Sequence, residues 1–288
     1  MRIAGAPISW GVCEVPGWGH QLEAGRVLAE MRELGLSATE FGPEGFLPDE
    51  PGERADLLAG HELEPVGGFL PVVLHDPGRD PIAEVDRVLD AFGEGTLLVL
   101  AAATGLDGYD ERPVLDDTGW ATLLANLDAV VAHAAERGHH CVLHPHVGTM
   151  VERRDEVDRV VAGSAVPLCL DTGHLLIGGV DPLELTRAVP ERIAHVHLKD
   201  VDAGLAGRVQ RGELTYTEAV RDGIYRPLGQ GDVDVAGIVE LLESAGYQGW
   251  YVLEQDTMLD AEPAPGSGPR DDVRASVAFL HRLAGAGR

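Results

Sequence analysis

Basic side chains are scarce in this chain of 288 residues, and lysine is almost absent. The sequence has 22 Lys and Arg residues against 48 Asp and Glu residues, for a formal net charge of −26, and Lys199 is its only lysine. Because the acidic residues are spread along the whole length, no basic patch is available for a nucleic-acid backbone or an anionic membrane surface. Since arginine serves at every other basic position, the single lysine predicts a place that needs an ammonium group with a tunable pKa.

Cysteine and long apolar runs are also scarce. The three cysteines, Cys13, Cys141 and Cys169, are odd in number, and each lies in or beside a predicted strand, which favours reduced thiols of a cytoplasmic protein over a disulfide framework. No apolar run approaches the roughly 18–20 residues that span a bilayer. The opening MRIAGAPISWG lacks a charged region followed by an apolar one, so we expect no export signal.

Short apolar runs of strand character alternate with longer segments in which apolar residues recur every three or four positions. The eight predicted strands are Ile3–Ile8, Ala38–Phe41, Pro65–Phe69, Thr96–Ala101, His140–Val147, Leu168–Asp171, Ile193–Leu198 and Trp250–Glu254. Eight such βα units predict an α/β fold: one (β/α)8 TIM barrel over residues 1–288, with its active site at the C-terminal ends of the strands. A doubly wound open sheet is disfavoured because no glycine-rich phosphate turn follows the first strand.

Two long segments interrupt this alternation. Residues 202–233 follow the seventh predicted strand, and the Pro/Gly-rich residues 256–270 follow the eighth. Long loops inside compact domains are often functional, and in a barrel the loops that follow strands lie on the catalytic face. Both segments are therefore predicted to lie beside the active site.

Four consecutive predicted strands end in side chains that bind metals. These side chains are His144 and His146, then Asp171 and His174, then His195, His197 and Lys199, and finally Glu254. Alternation along a strand predicts that His144 and His146 share one face, as do the two histidines and the lysine of 195–199. One such residue is usually structural, but four strands in succession predict a divalent-metal site. Mixed imidazole and carboxylate ligands favour Mn²⁺ or Co²⁺, with Zn²⁺, Fe²⁺ or Mg²⁺ as alternatives.

These motifs resemble the sugar isomerase/epimerase superfamily with xylose-isomerase-like barrels. The resemblance is carried by DTGH at 171–174, HVHLKD at 195–200, LEQD at 253–256 and the opening APISWGV at 6–12. Two further stretches, HPHVGT at 144–149 and YTEAVRDGIYRPLGQGDVD at 216–234, are similar to the inosose dehydratases of inositol catabolism, which act on 2-keto-myo-inositol.

The resemblance implies one metal ligand from each of the last four strands. Asp171, His197 and Glu254 match three of these positions, while His144 stands where many relatives carry glutamate. The alternative fourth ligand is Glu152, which would fold back from the following helix. The resemblance also leaves a homo-oligomer open, since barrels of this superfamily are often dimers or tetramers.

Histidine in place of that glutamate favours elimination over epimerisation. Epimerisation in such barrels uses two carboxylate bases on opposite faces of the substrate, whereas dehydration needs one base, a Lewis acid and a proton donor. We therefore expect a cyclic 2-keto polyol as substrate. Glu254 or Lys199 would remove the α-proton, and His146 or His174 would protonate the leaving hydroxyl.

Other reactions share the same enediolate and remain open. They are isomerisation or epimerisation of a ketose or inosose, and a lyase reaction on a 3-keto-glycoside. A non-catalytic sugar-binding barrel is a further alternative, while the endonuclease branch of this barrel would need a basic groove. The residues expected to line the sugar pocket are Trp10, Glu14, Trp18, Glu40 and Arg226, each with an ordinary loop, rim or surface position as its alternative.

Overall fold

Parallel strands form a ring in the computed structural model, which describes residues 1–93, 95–106 and 108–286. The strands of the ring are β1 Arg2–Gly5, β2 Ala38–Thr39, β3 Glu64–Pro65, β4 Gly67–Val72, β5 Leu97–Ala102, β6 His140–Leu143, β7 Leu168–Asp171, β8 Ile193–Leu198 and β11 Trp250–Leu253. Their order is β3-β2-β1-β11-β8-β7-β6-β5-β4. The predicted TIM barrel is confirmed; residues 94, 107, 287 and 288 of the predicted range 1–288 lie outside the described residues.

The ring closes where one strand position is split in two. The backbone of Val66, between β3 and β4, donates to Thr39 O and accepts from Leu97 N, both at 3.0 Å. β3 pairs with β2, and β4 pairs with β5. The nine strands of the ring therefore occupy the eight positions that the sequence predicts.

Helices surround the ring. They are α1 Ala24–Glu33, α2 Pro51–Gly60, α3 Pro81–Phe92, α4 Asp117–Glu136, α5 Arg154–Gly163, α6 Thr172–Ile177, α7 Pro182–Ala188, α8 Ala203–Gln210, α9 Tyr216–Arg221, α10 Val235–Ser244 and α11 Pro269–Ala286, with 3-10 turns at Pro7–Trp10 and Pro190–Arg192. Several begin at an aspartate whose side chain accepts a backbone N–H, as Asp116 does from Gly119 and Asp181 from Leu183. Among the described helices, none is long and apolar enough to cross a membrane.

Strand alternation divides the buried side chains into two sets. Large apolar residues of the strands pack outward against the helices in the main core. Small residues form the inward sets, Ala4, Ala38, Val66 and Val252 in one and Val99, Val142 and Cys169 in the other. Two positions further along the chain, four of these inward residues are followed by polar side chains: Glu40, His144, Asp171 and Glu254.

Several predicted strand boundaries are wrong: the first two predicted strands end at Gly5 and Thr39 rather than at Ile8 and Phe41. The fifth predicted strand was expected to reach Val147, but β6 ends at Leu143, and Pro145 follows His144. His144 N still donates to Leu100 O at 2.7 Å, whereas His146 N donates to Val151 O within a turn. His146 therefore lies beyond the strand rather than on a strand face shared with His144.

The long connection after β8 was also expected to be a loop. It contains α8 and α9, and the short strands β9 Asp200–Val201 and β10 Tyr225–Arg226 pair antiparallel. The fully buried carboxylate of Asp200 accepts the N–H groups of Gly229, Gly231 and Val233 at 2.8–3.0 Å. These bonds hold the connection against the end of β8.

The split in the ring depends on a glycine. Gly67 has φ +155°, and a Cβ there would lie 1.9 Å from Leu97 O. We expect Gly67→Ala to lower the free energy of unfolding by more than about 2 kcal/mol, measured by urea denaturation, because it forces apart two paired strands. Gly25→Ala is the control: Gly25 lies in α1 with no atom within 4 Å of its added Cβ. It should be neutral or stabilise by up to about 1 kcal/mol. Equal effects of the two changes would contradict this account of the ring closure.

Candidate active site

The inward side chains at the carboxyl ends of β6, β7, β8 and β11 converge. Strand register places Asp171 beside His197. Asp171 Oδ2 lies 3.2 Å from His144 Nε2 and 3.5 Å from His197 Nδ1, and His197 Nδ1 in turn contacts Glu254 Oε2. The structure therefore brings together His144, Asp171, His197 and Glu254, which the sequence predicts as metal ligands.

A helix start orients Asp171. Its Oδ1 accepts the backbone N–H groups of Gly173 and His174 at 2.9 and 2.7 Å, which caps α6. Oδ2 is thereby left to face the cluster. Burial raises the pKa of Asp171, but the Lys199 and His174 side chains and hydrogen bonds from the cluster outweigh it, so this pKa lies well below its usual value. The carboxylate is therefore ionised.

The only lysine lies at the centre of this cluster. The side chain of Lys199 is 1% exposed, and its Nζ lies 2.6 Å from Asp256 Oδ1 and 3.5 Å from both Asp171 Oδ2 and Glu254 Oε2. Burial lowers the pKa of Lys199, yet these three carboxylates raise it well above its usual value. That environment favours a charged ammonium over the neutral amine that a general base requires.

Histidines 146 and 174 stack on each other with ring centroids 3.7 Å apart. His174 Nε2 lies 2.9 Å from Lys199 Nζ, and His146 Nδ1 lies 2.6 Å from Val147 O. Burial, followed by the neighbouring imidazoles and Lys199, holds the pKa of both rings well below its usual value. Both rings are therefore neutral, and their partners fix which nitrogen carries the proton.

Those partners give the two rings the same tautomer but occupy different nitrogens. An ammonium only donates, so His174 Nε2 accepts from Lys199 and its proton lies on Nδ1. A carbonyl only accepts, so His146 Nδ1 carries the proton and Nε2 has the lone pair. The buried Nδ1 of His174 has no hydrogen-bond partner among the described residues. His174 therefore presents a free N–H donor, and His146 presents an acceptor.

Glu152 lies apart from the cluster. Its Oε2 accepts from Gly148 N at 2.7 Å and lies 3.4 Å from Arg112 Nε, and Arg112 also pairs with Glu156 at 2.7 Å. Among the described residues, Glu152 is absent from every group that is able to hold a metal ion. The structure gives it contacts that order the turn after His146 instead of a ligand contact.

The residues expected around the sugar pocket are scattered. The indole N–H groups of the buried Trp10 and Trp18 donate to Glu30 and to Thr257 O, both at 2.9 Å. Glu14 is exposed, and the exposed side chain of Arg226 pairs with Asp202 at 3.3 Å. None of these four has a hydrogen bond or ion pair with the cluster among the described residues.

Glu40, the fifth of that set, lies inside the barrel. Its Oε1 is 2.8 Å from His195 Nε2 and 2.9 Å from His197 Nε2. Burial raises the pKa of Glu40, but His197 and the two hydrogen bonds outweigh it and hold this pKa below its usual value. Glu40 therefore contacts His197 through Nε2, whereas Nδ1 of the same ring faces Asp171 and Glu254.

Sequence reasoning missed several residues of the site. Asp256 binds Lys199, and its other oxygen accepts from Tyr216 OH, which lies 2.9 Å from Tyr225 OH. Tyr109 stacks on His146 with centroids 5.6 Å apart. Asp256 lies two residues after Glu254 in the LEQD motif, so alternation would have found it; both buried tyrosines lie in the 216–234 motif. Tyr109 follows β5 in a segment with no such signal.

Unpartnered buried atoms test whether a metal ion fits. Within the described part of the chain, His144 Nδ1, His197 Nδ1 and Glu254 Oε2 are buried without a hydrogen-bond partner. The ligand atoms of Asp171, His197 and Glu254 lie within 4.8 Å of one another. Four carboxylates, Glu40, Asp171, Glu254 and Asp256, share the interior with one ammonium group. Orphaned donor atoms and excess negative charge both fit a divalent cation, and the donor set suits one.

Known proteins are similar to this chain in sequence and in fold. A family model described as xylose isomerase-like TIM barrel matches residues 28–283. The chain is 33% identical over 269 residues to the rhizopine catabolism protein MocC of Rhizobium meliloti, covering 89% of this chain and 82% of that protein. It is also 33% identical over 273 residues to an inosose dehydratase of Geobacillus kaustophilus, covering 89% and 87%.

A solved L-ribulose 3-epimerase superposes with a TM-score of 0.70 at 16% identity, covering 98% of this chain and 94% of that chain. At this identity, the likeness establishes the fold alone.

Asp171 provides the test of metal binding. We expect Mn²⁺ or Co²⁺ to raise the melting temperature of the chelator-treated wild type, because an ion that binds only the folded state stabilises it. Asp171→Asn should bind the ion at least about tenfold more weakly in calorimetric titration, since the carboxylate charge is lost. Asp181→Asn is the matched control: Asp181 caps α7 in the same way on the surface. Wild-type affinity in Asp171→Asn would disprove the ligand assignment.

Proposed function

The chain belongs to the xylose isomerase-like TIM barrel family, and we propose that within it this protein is a metal-dependent dehydratase of a cyclic 2-keto polyol such as 2-keto-myo-inositol. The observation that carries the proposal is the convergence of unpartnered His197 and Glu254 atoms on Asp171 beside Lys199. The chain is an enzyme, as its relative named inosose dehydratase is, and that relative supports the choice of a hydro-lyase reaction.

The proposed metal ligands are Asp171, His197, Glu254 and His144. A divalent ion there, with Mn²⁺ or Co²⁺ favoured, supplies a Lewis acid that polarises the substrate ketone. His144 Nε2 lies 3.2 Å from Asp171 Oδ2, and the two residues belong to one group of atoms able to hold a metal ion, which supports His144 over Glu152 as the fourth ligand.

Glu254 is the proposed base. Its side chain is 15% exposed, more than that of the other carboxylates in the cluster, Glu40, Asp171 and Asp256. Substrate that enters from the C-terminal face of the barrel meets this carboxylate first. Glu254 takes the proton α to the ketone, and the charged Lys199 stabilises the negative charge that develops on the substrate oxygen.

His174 is the proposed acid. Its Nδ1–H has no partner in the described structure, so it is free to donate to the β-hydroxyl, which then leaves as water. His174 Nε2 takes a proton from Lys199 at 2.9 Å in the same step. Lys199 recovers a proton from Glu254, 3.5 Å away, which restores both groups. His174 is left with its proton on Nε2, and exchange with solvent returns the ring to the Nδ1–H form before the next turnover. His146 presents an acceptor instead and is suited to bind a substrate hydroxyl.

An isomerase or epimerase acting on the same enediolate is the alternative. It requires proton return to carbon in place of loss of the β-hydroxyl. In such barrels a second carboxylate serves as that base, whereas here His144 stands at its position and the nearby Asp256 is paired with Lys199 and Tyr216. The arrangement therefore supports elimination.

The activity test uses the chelator-treated enzyme supplied with Mn²⁺ or Co²⁺ and 2-keto-myo-inositol in deuterated water. We expect a dione product with new ultraviolet absorbance, and background turnover in Asp171→Asn. Deuterium incorporation without new absorbance would replace the dehydratase assignment with an isomerase or epimerase. No reaction above the Asp171→Asn background would disprove this substrate.

A matched pair of variants tests the acid assignment. His174→Asn and His146→Asn each keep a donor near the position of Nδ1 but do not transfer a proton. We expect His174→Asn to lower kcat by about 10²–10⁴, the usual contribution of general acid catalysis. His146→Asn should raise KM more than it lowers kcat, because a lost substrate contact weakens binding. The reverse pattern would show that His146 is the acid.

A further inference from the structure

We propose that Glu40 is a positioning residue that presents His197 to the metal ion through Nδ1, and that His195 holds Glu40 in place for this task. The inference rests on the metal site of the proposed function. It assigns Glu40 a role different from the substrate contact that its sequence position predicts.

Glu40 reaches His197 across the barrel interior. It follows β2, whereas His197 belongs to β8, and β1 and β11 lie between these two strands in the ring. All three side chains are buried: Glu40 is 5% exposed, His195 2% and His197 1%. This burial, together with the bond to His195, which precedes His197 by two residues on β8, places the carboxylate on the side of His197 away from entering substrate.

One oxygen of Glu40 accepts hydrogen bonds from both histidines. Oε1 lies 2.8 Å from His195 Nε2 and 2.9 Å from His197 Nε2. A carboxylate only accepts hydrogen bonds, so each Nε2 must carry a proton. A metal ion binds imidazole in its neutral form, and in that form of His197 the lone pair lies on Nδ1.

That lone pair points at the metal ligands. His197 Nδ1 is 3.5 Å from Asp171 Oδ2, contacts Glu254 Oε2 and has no hydrogen-bond partner among the described residues. A carboxylate behind a ligating histidine fixes its tautomer and ring orientation and raises its basicity. Loss of such a partner typically weakens metal binding 10- to 100-fold.

His195 explains how Glu40 is held. Because His195 precedes His197 by two residues on β8, its ring points into the barrel on the same face. Its N–H bond to the same oxygen leaves that oxygen little freedom to move away from His197. In the HVH motif, His197 is thus the proposed metal ligand, and His195 holds the carboxylate of Glu40 against it.

The test compares two buried carboxylates, each of which accepts a ring N–H. In Glu40→Gln the negative charge is lost, so the amide oxygen is a weaker acceptor for the two ring N–H groups and raises the basicity of His197 less. Glu30→Gln is the control: Glu30 is 6% exposed and accepts from Trp10 Nε1 at 2.9 Å, in α1. Mn²⁺ affinity is measured from the free-ion electron paramagnetic resonance signal, with no substrate present.

We expect Glu40→Gln to bind Mn²⁺ 10- to 100-fold more weakly than the wild type and Glu30→Gln to bind it equally well, with melting temperatures of both metal-free variants lowered to a similar extent. Equal Mn²⁺ affinity in Glu40→Gln and wild type would overturn this inference alone. Absence of Mn²⁺ binding by the wild type would overturn the proposed metal site together with it.

A measurement on the wild type covers the case in which Glu40→Gln does not fold. In the Zn²⁺-loaded protein with ¹⁵N-labelled histidine, we expect His197 to carry its proton on Nε2 and to lack one on Nδ1. A protonated Nδ1 on His197 would overturn the inference without any variant.

Discussion

The compensation of negative charge inside the barrel is the constraint on which the site depends. Glu40, Asp171, Glu254 and Asp256 share this interior with one lysine. Buried charges are tolerated only when they are paired or bind a cation. Three of the carboxylates have hydrogen-bond partners: Asp171 caps a helix, Glu40 accepts from two imidazoles, and Asp256 accepts from Lys199 and Tyr216. Glu254 differs, because one of its oxygens has no hydrogen-bond partner among the described residues. The oxygen of Glu254 is therefore available to an ion or a substrate.

The buried ammonium group is supplied by Lys199, and the aliphatic part of this side chain requires a glycine beside it. A Cβ on Gly173 would lie 2.6 Å from Lys199 Cβ and 2.9 Å from the ring of Tyr225. The glycine of the DTGH motif thus leaves room for the lysine stem beside the capped aspartate. An arginine at position 199 would put a larger planar group among His174, Asp171 and Asp256. This close packing accounts for one lysine in a chain whose other basic residues are all arginines.

Sequence alone predicted the barrel and the inward set, because both follow from local rules. The bounds of β7 and β8 match their predicted strands, Leu168–Asp171 and Ile193–Leu198, and alternation along parallel strands brings Asp171 and His197 together. Contacts between residues far apart in the sequence could not be predicted in this way. Glu40 contacts residues 155 and 157 positions away, and Trp10 contacts Glu30 in α1, so neither set of contacts leaves a local signal. Pro145 accounts for the early end of β6, because proline has no N–H to donate to a neighbouring strand. This effect could have been predicted from the sequence.

The polar side chains at the barrel mouth form two layers. The layer of Glu40 and His195 is buried on the side of His197 away from Asp171 and Glu254. The layer of Lys199, His174 and Asp256 continues through Tyr216 and Tyr225 into the connection after β8. The first layer arises from ring residues and would be expected wherever this barrel holds a histidine ligand in this tautomer. The second depends on a connection of this length, so differences among relatives in the reaction they catalyse should concentrate there.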